Sequence, residues 1–504
     1  MAPDKNVTRR EFIGSAAATA AFTIVPRHVI GGSGYIPPSD KITIGYVGCG
    51  TQGMREMVRL IQNPEIQIVS VCDPNKFTTD YVDWSLNGIR DSIREALDDN
   101  SWAEGMEGIP GGRDIGLDFV ERYYAKNKPG GNYKGCSSYE DFREMFEKEK
   151  DIDAMKVMTP DHLHATLSIA AIKKGMHVLI HKPIANRIDE ARKVFKVARE
   201  HPEVSTHLLA WSVRPGYDLA LKWIKDGAIG TLKEIHNWSN RPQWPQYTSN
   251  PTESVPIPKG FNWGLWLGCV PDRPYHPNYT HAVFRGWYDF GGGSIADMGH
   301  YSLWPLFLSF GITRPPLSAE PRGTTTCAVN NHVSRRHTND VGFPASCVVR
   351  FKFPEQENLP PFDLYWHDGG MKPPTPDELE EDNAELAREG MMFVGDKGKI
   401  LSGFRGEDPK IIPEKKMKEY LNGEELPEEE RVSAERYWIE AFKSNSQGPG
   451  SFWHAETVTE TTNLGAVALR AGKKIYWDSK NMKVTNDEDA NKFLYREYRK
   501  GWEL

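Results

Sequence analysis

Ten residues, Ile44-Gly45-Tyr46-Val47-Gly48-Cys49-Gly50-Thr51-Gln52-Gly53, restrict what this chain can fold into more than any other stretch. An apolar strand runs into the spacing G-x-G-x-x-G at Gly48, Gly50 and Gly53, and a helix-compatible segment, Met54 to Gln62, follows. Each glycine has a task. Gly48 allows the tight turn, Gly50 leaves room for a pyrophosphate, and Gly53 lets the helix pack closely so that its first N–H groups face the anion. A second apolar run, Ile66 to Cys72, ends on Asp73, 23 residues past Gly50. An acid there accepts hydrogen bonds from the adenosine ribose and repels a 2′-phosphate, so the pattern predicts NAD rather than NADP. The glycine spacing alone is a weak signal; strand, helix and acid around it make it specific.

From residue 41 to 184, apolar strands alternate with helical patterns, as a doubly wound parallel sheet requires. Ile42 to Gly48, Ile66 to Cys72, Ala154 to Met158 and His177 to Ile180 are the strand candidates. A long insertion, Asp80 to Lys134, separates the second from the third; it reads as a surface decoration or as a cover for the cofactor or substrate mouth. The expected fold class is α/β: an N-terminal Rossmann domain (41–184), then an α+β domain (185–504) with an open, mainly antiparallel sheet. Helices over Glu190 to Arg199 and Tyr217 to Asp226 lead into strands Thr231 to Asn237 and Ser346 to Phe353, and Ala490 to Trp502 reads as a docking amphipathic helix.

At 504 residues, two domains are needed, since single cores stop growing well below that length. A net charge of −7 without any basic run argues against a nucleic-acid partner. Fifteen Trp, 19 Tyr and 21 Phe make a large core, and flat aromatic faces also suit a sugar ligand. Six cysteines without a C-x-x-C pair give no zinc or redox motif, no other cluster has metal spacing, and no apolar span is long enough for membrane insertion.

Residues 1–40 carry an address. Thr8-Arg9-Arg10-Glu11-Phe12-Ile13 precedes a mildly apolar, alanine-rich stretch, the layout of a twin-arginine export signal. The expected location is periplasmic or otherwise exported, and cytoplasmic if the signal is not functional. Outside the cytoplasm there is little free NAD to exchange, so an exported enzyme is expected to bind its cofactor tightly and return it to its starting redox state.

Four matched stretches in order make the chain resemble the Gfo/Idh/MocA family of NAD(P)-dependent sugar and polyol oxidoreductases. They are Gly48 to Gly53 with Asp73; Thr159-Pro160-Asp161-His162-Leu163-His164; His181-Lys182-Pro183; and Gly291-Gly292-Gly293 followed by Asp297-Met298-Gly299-His300-Tyr301. The resemblance implies Lys182 as the catalytic lysine and Asp297 as a catalytic acid. Thr51, Gln52, Thr159, Pro160 and His164 are implied in cofactor contact, with Arg214, His181 and Trp287 as substrate contacts. It also implies a homo-oligomer, dimer or tetramer, formed through the open sheet. His181 stands where the family usually has glutamate, which leaves open whether Lys182 has a carboxylate partner. Tyr301 takes a position often held by histidine. Positions 297, 300 and 301 share a helix face, so Tyr301, favoured by register, or His300 completes the acid/base set; a hydrogen-bonded core histidine is the other reading of His300.

The chemistry is consistent without the family name. Oxidising a secondary alcohol requires an acceptor for the hydroxyl proton, and a buried lysine beside a cationic ring has a lowered pKa. Pro183 fixes the backbone after Lys182 and admits a cis bond. The expected function is therefore NAD-dependent oxidation of a sugar, glycoside or polyol, hexopyranoside C3 being the sharper version. The alternatives are an NAD-dependent glycosidase or lyase using transient C3 oxidation, and a non-catalytic sugar-binding scaffold.

Overall fold

Short apolar strands set the first layer. In the computed structural model, which describes residues 40–126, 131–337, 339–426 and 433–504, β1 (Ile42–Val47), β2 (Ile66–Cys72), β3 (Ser137–Tyr139), β4 (Ala154–Val157), β5 (His177–Ile180) and β6 (Thr206–Leu208) form a parallel sheet in the order β3-β2-β1-β4-β5-β6. The order reverses direction between β1 and β4, which opens the crevice where doubly wound sheets bind ligands. β4 and β5 are buried at every position, as expected of strands covered on both faces. Because β6 belongs to this layer, the sheet runs past the break expected at residue 184. Both β3 and β6 are three-residue strands, too short for a periodicity signal. The Arg9-Arg10 motif lies outside the described residues.

The helices in chain order are α1 (Thr51–Leu60), α2 (Gly88–Leu97), α3 (Arg113–Lys126), α4 (Phe142–Lys148), α5 (His164–Lys173), α6 (Ile188–Glu200), α7 (Pro215–Lys225), α8 (Trp263–Leu267), α9 (Gly293–Phe310), α10 (Asp377–Glu381), α11 (Glu414–Leu421), α12 (Ala434–Lys443) and α13 (Glu456–Ala471). α2 and α3 arise from the insertion and pack on each other.

The remaining strands are β7 (Leu232–Trp238), β8 (Ser318–Gly323), β9 (Cys327–Asn330), β10 (Val333–Arg336), β11 (Cys347–Phe353), β12 (Phe362–His367), β13 (Gly390–Gly395), β14 (Lys399–Ser402), β15 (Lys410–Ile412), β16 (Ile475–Asp478) and β17 (Lys483–Val484). All but the β9–β10 hairpin join one sheet, ordered β15-β14-β13-β7-β12-β11-β8-β16-β17. Its pairings are antiparallel except β7 with β12. In β11 Cys347, Val349, Phe351 and Phe353 are buried while Val348, Arg350 and Lys352 face outward, the period of two of a one-sided sheet. The buried face packs against α9 and α13. Each large apolar side chain hidden there contributes roughly 1.5–3 kcal/mol.

The C-terminal segment departs from the expected helix. Only Asp489–Leu494 forms a short 3-10 turn, and the chain then runs irregularly to the buried Trp502. Trp502 packs beside Phe142 with the Arg143 guanidinium over its ring, so the segment is tied to the first domain by side chains rather than by helix geometry.

Candidate active site

The glycine turn is shaped by close approach. Gly48 has φ of +101°, and a Cβ there would stand 2.6 Å from the Met158 backbone. A Cβ on Gly53 would lie 2.0 Å from the Gly48 carbonyl oxygen, so only glycine lets α1 seat on the strand end. Gly50 caps α1 in an extended conformation without a side-chain cap, leaving first-turn N–H groups of Thr51, Gln52 and Gly53 for an anion. Asp73 Oδ2 accepts from Cys49 N at 2.7 Å, and its Oδ1 accepts from Asn75 N at 2.8 Å. Burial pushes the Asp73 carboxyl up to about 6 against those two bonds.

These residues open into a cleft lined by the glycine turn and Asp73 at one end and by Asp161, His181, Lys182 and Arg285 at the other. Thr159 and Pro160 line its middle, and the Thr159 hydroxyl is buried without a hydrogen-bond partner among the described residues. An uncapped helix start, a carboxylate at the strand end and an unpartnered hydroxyl between them fit a dinucleotide laid across the sheet.

The insertion covers this cleft rather than decorating the surface. Tyr81 lies between two glycines: a Cβ on Gly50 would approach its ring to 3.1 Å, and one on Gly111 to 2.5 Å. Its other neighbour is His281 of the second domain, with ring centroids 4.2 Å apart. The Lys76 N–H donates to Gly260 O and the Asn262 N–H to Pro74 O, so both domains grip the start of the insertion.

Lys182 follows β5 and is almost wholly buried. Its Nζ pairs with Asp297 Oδ1, and Arg285 Nε donates to the same oxygen at 3.0 Å. Burial lowers the lysine pKa, Asp297 raises it and Arg285 lowers it again, for a net downward shift. Burial alone would push the Asp297 carboxyl up, but Lys182 and Arg285 overcome it and hold it at about 2. Asp161 is a second buried carboxyl of the cleft; its Oδ2 accepts from Gly292 N at 3.0 Å, and burial raises its pKa. Tyr301 Oη lies 2.9 Å from His181 Nε2, and Lys182 Nζ sits 5.1 Å from the centre of the Tyr301 ring. Burial and the Lys182 charge hold His181 neutral, and burial raises the Tyr301 phenol, so the hydroxyl donates to the imidazole. The Lys182–Pro183 bond is cis.

Other expected residues lie elsewhere. His300 is fully buried, with Nδ1 3.0 Å from Ala296 O and Nε2 3.4 Å from the Thr459 hydroxyl. It binds its own helix turn and α13 and is not among the cleft-lining residues. His164 does not line the cleft; it bridges Thr159 O at 2.9 Å and Pro183 O at 2.5 Å, tying together the two loops that do. Arg214 caps α7, with Nε donating to Ser212 Oγ at 2.9 Å, and is not among the cleft-lining residues. Trp287 is buried against Tyr247, donates to Asn278 O at 2.7 Å and is not among the cleft-lining residues. Conversely, Asp161 and Tyr81 reach the site without having been singled out, and Arg285, from a stretch the sequence offers only as a pocket wall, reaches Asp297. Asp161 stood inside a quoted motif, whereas nothing local marks Tyr81 or the pairing of Arg285 with Asp297. Among the described residues no group of three or more His, Cys, Asp or Glu side chains is arranged to hold a metal, and no helix is long and apolar enough to cross a membrane.

A Rossmann sheet with a dinucleotide cradle, leading to a buried lysine–aspartate pair beneath a second α/β domain, defines a nicotinamide-type oxidoreductase architecture. The sequence profile of the oxidoreductase family's NAD-binding Rossmann fold matches residues 119–207, and that of the same family's C-terminal alpha/beta domain matches 223–316 and 379–504. The chain belongs to the Gfo/Idh/MocA oxidoreductase family. The first match begins inside α3, so the glycine turn and the first part of the insertion precede it.

Levoglucosan dehydrogenase of Pseudarthrobacter phenanthrenivorans is 32% identical over 116 residues, covering 22% of this chain and 29% of that protein. A glycosyl hydrolase family 109 protein of Shewanella pealeana is 20% identical over 243 residues, 45% of this chain and 44% of its own length. The chain thus spans less than half of either curated relative. The WlbA dehydrogenase of Chromobacterium violaceum, solved with NADH and UDP-GlcNAcA, superposes with a TM-score of 0.51 at 14% identity, covering 88% of this chain and 98% of that one, a likeness of fold.

Proposed function

We propose that the protein oxidises a secondary hydroxyl of a sugar, glycoside or polyol, using NAD. The observation that carries this reading is the buried Lys182 amine, shared with Asp297 and Arg285, at the far end of the cleft that the glycine turn opens. When bound, the dinucleotide supplies a hydride acceptor. Thr51, Gln52 and Gly53 would hold its pyrophosphate, Asp73 its ribose, and Thr159 and Pro160 would line its path. The Asp73 charge favours NAD over NADP.

Lys182 takes the substrate hydroxyl proton. Arg285 is central to this step, because two cations on one Asp297 oxygen leave less negative charge to hold the ammonium proton. Tyr301, anchored by His181, positions its phenol beside the amine and orients the substrate hydroxyl. The buried surroundings exclude water and strengthen each of these interactions.

A second reading, redox-neutral cleavage of a glycoside through transient oxidation at C3, is favoured by one observation. Asp161 is a second buried carboxyl in the cleft with a raised pKa, suited to protonating a leaving oxygen; the likeness to the glycosyl hydrolase family 109 protein points the same way. Incubation with aryl glycosides separates the readings. Phenol release without added NAD supports cleavage, NADH accumulation supports the dehydrogenase, and neither product overturns both. Within the same proposal, the Arg9-Arg10 motif directs export and the open face of the second sheet joins copies into an oligomer.

A further inference from the structure

The insertion brings more to the site than Tyr81. Trp84, three residues on, is 47% exposed, an unusual position for the largest side chain. It faces Trp244 on the loop after β7, with ring centroids 6.4 Å apart and planes tilted by 41°. The Arg241 guanidinium lies 5.2 Å from the Trp84 ring, and that of Arg285 lies 5.9 Å from the Trp244 ring. Arg285 in turn holds Asp297, the partner of Lys182. Lysine, aspartate, arginine and two indoles therefore form one contiguous line from the buried end of the cleft to solvent.

The outer end of this line is held in place. Arg55 pairs with Asp83 at 2.7 Å, and the Thr51 hydroxyl donates to Val82 O at 3.4 Å, fastening the segment to the first turns of α1. Trp244 is more than nine-tenths buried, yet its indole N–H has no partner among the described residues. A buried donor without a partner is unfavourable, and a ligand oxygen arriving at that wall relieves the cost.

We propose that Trp84, Trp244 and Arg241 form a subsite for a second sugar ring, so that the substrate is a glycoside carrying a second sugar unit rather than a free monosaccharide or polyol. This rests on the sugar-oxidoreductase reading and names its substrate class. An exposed indole offers a flat apolar face to the C–H side of a pyranose, and the neighbouring guanidinium and indole N–H meet its hydroxyl edge. The subsite stands beside Arg285, so a glycoside whose reacting ring lies at Lys182 extends its second ring towards it.

The test compares one-ring and two-ring substrates on the NAD-loaded full chain: methyl α-glucoside with maltose, and methyl β-glucoside with cellobiose. For wild type, kcat/KM is expected to favour the two-ring member of at least one pair about tenfold. Trp84→Ala is expected to remove that preference, and Trp84→Phe to retain most of it. A two-ring preference unchanged by Trp84→Ala, or no two-ring preference in wild type, overturns the subsite while leaving the oxidoreductase reading intact. If wild type turns over neither ring size, the oxidoreductase reading fails for glucosides. Calorimetric binding of the same pairs then decides the subsite: a Trp84-dependent preference supports it, and equal binding overturns it.

Discussion

Tyr301 and His181 are joined by a 2.9 Å hydrogen bond between Oη and Nε2, linking the long helix α9 to the loop that carries Lys182. An imidazole here cannot neutralise the amine as a carboxylate would, and its Nε2 meets the tyrosine hydroxyl instead. Tyr301→Phe is expected to lower kcat about 10²-fold, at the lower end of what a positioned proton-handling group contributes. His181→Gln, which retains an acceptor, should lose less than His181→Ala. Steady-state kinetics on the three variants check the order; equal losses would show that the bond to Tyr301 is immaterial.

Lys182→Ala should reduce turnover by 10²–10⁴-fold, the usual contribution of a general base, while NAD still binds, as read by fluorescence titration. Arg285→Lys should raise the pH at which kcat/KM levels off, since a single point charge replaces the guanidinium that now competes for Asp297. The lowered amine pKa means wild-type activity rises with pH and saturates below the 10.5 of an ordinary lysine.

Asp73 has a carboxyl pushed up to about 6 by burial. Above that pH its charge repels a 2′-phosphate; below it the carboxyl is neutral and the repulsion goes. The ratio of NADP to NAD dissociation constants is therefore expected to fall between pH 8 and pH 5.5. Asp73→Asn should show the smaller ratio at both. A ratio independent of pH in wild type would place discrimination elsewhere.

Burial holds His162 and His207 neutral, with pKa values down at about 3. Both folded values lie below the unfolded 6.5, so the unfolded chain binds more protons and stability falls as pH drops through 6.5 towards 3. At pH 4 each costs about 3 kcal/mol, a large share of a protein's net stability. Circular-dichroism melts should show Tm falling steadily from pH 7 to pH 4; a flat profile would contradict the burial of these rings.

Gly53→Ala places a methyl group 2.0 Å from a backbone oxygen, and no side-chain rotation relieves it. It is expected to destabilise the first domain by about 1–3 kcal/mol and to abolish NAD binding. Tyr81→Ala leaves the backbone unstrained but uncovers the cradle. It should speed NAD release roughly tenfold, as measured by stopped-flow displacement.

The sequence alone determined what is local. The glycine turn, Asp73, the strands β1, β2, β4 and β5 and the Lys182-Pro183 element are each written within a few residues, because turn geometry and strand burial depend on adjacent side chains. It also narrowed the acid/base choice to two neighbours on α9. Only the tertiary structure separated their surroundings: His300 lies against the Ala296 carbonyl of its own helix and the Thr459 hydroxyl of α13, whereas Tyr301 meets His181. The same holds for Arg285 on Asp297, Tyr81 over Gly50 and Trp84 beside Trp244, pairs that unite distant parts of the chain. No local pattern encodes such pairs, because two helix-face positions of equal register are distinguished only by what the fold packs against each.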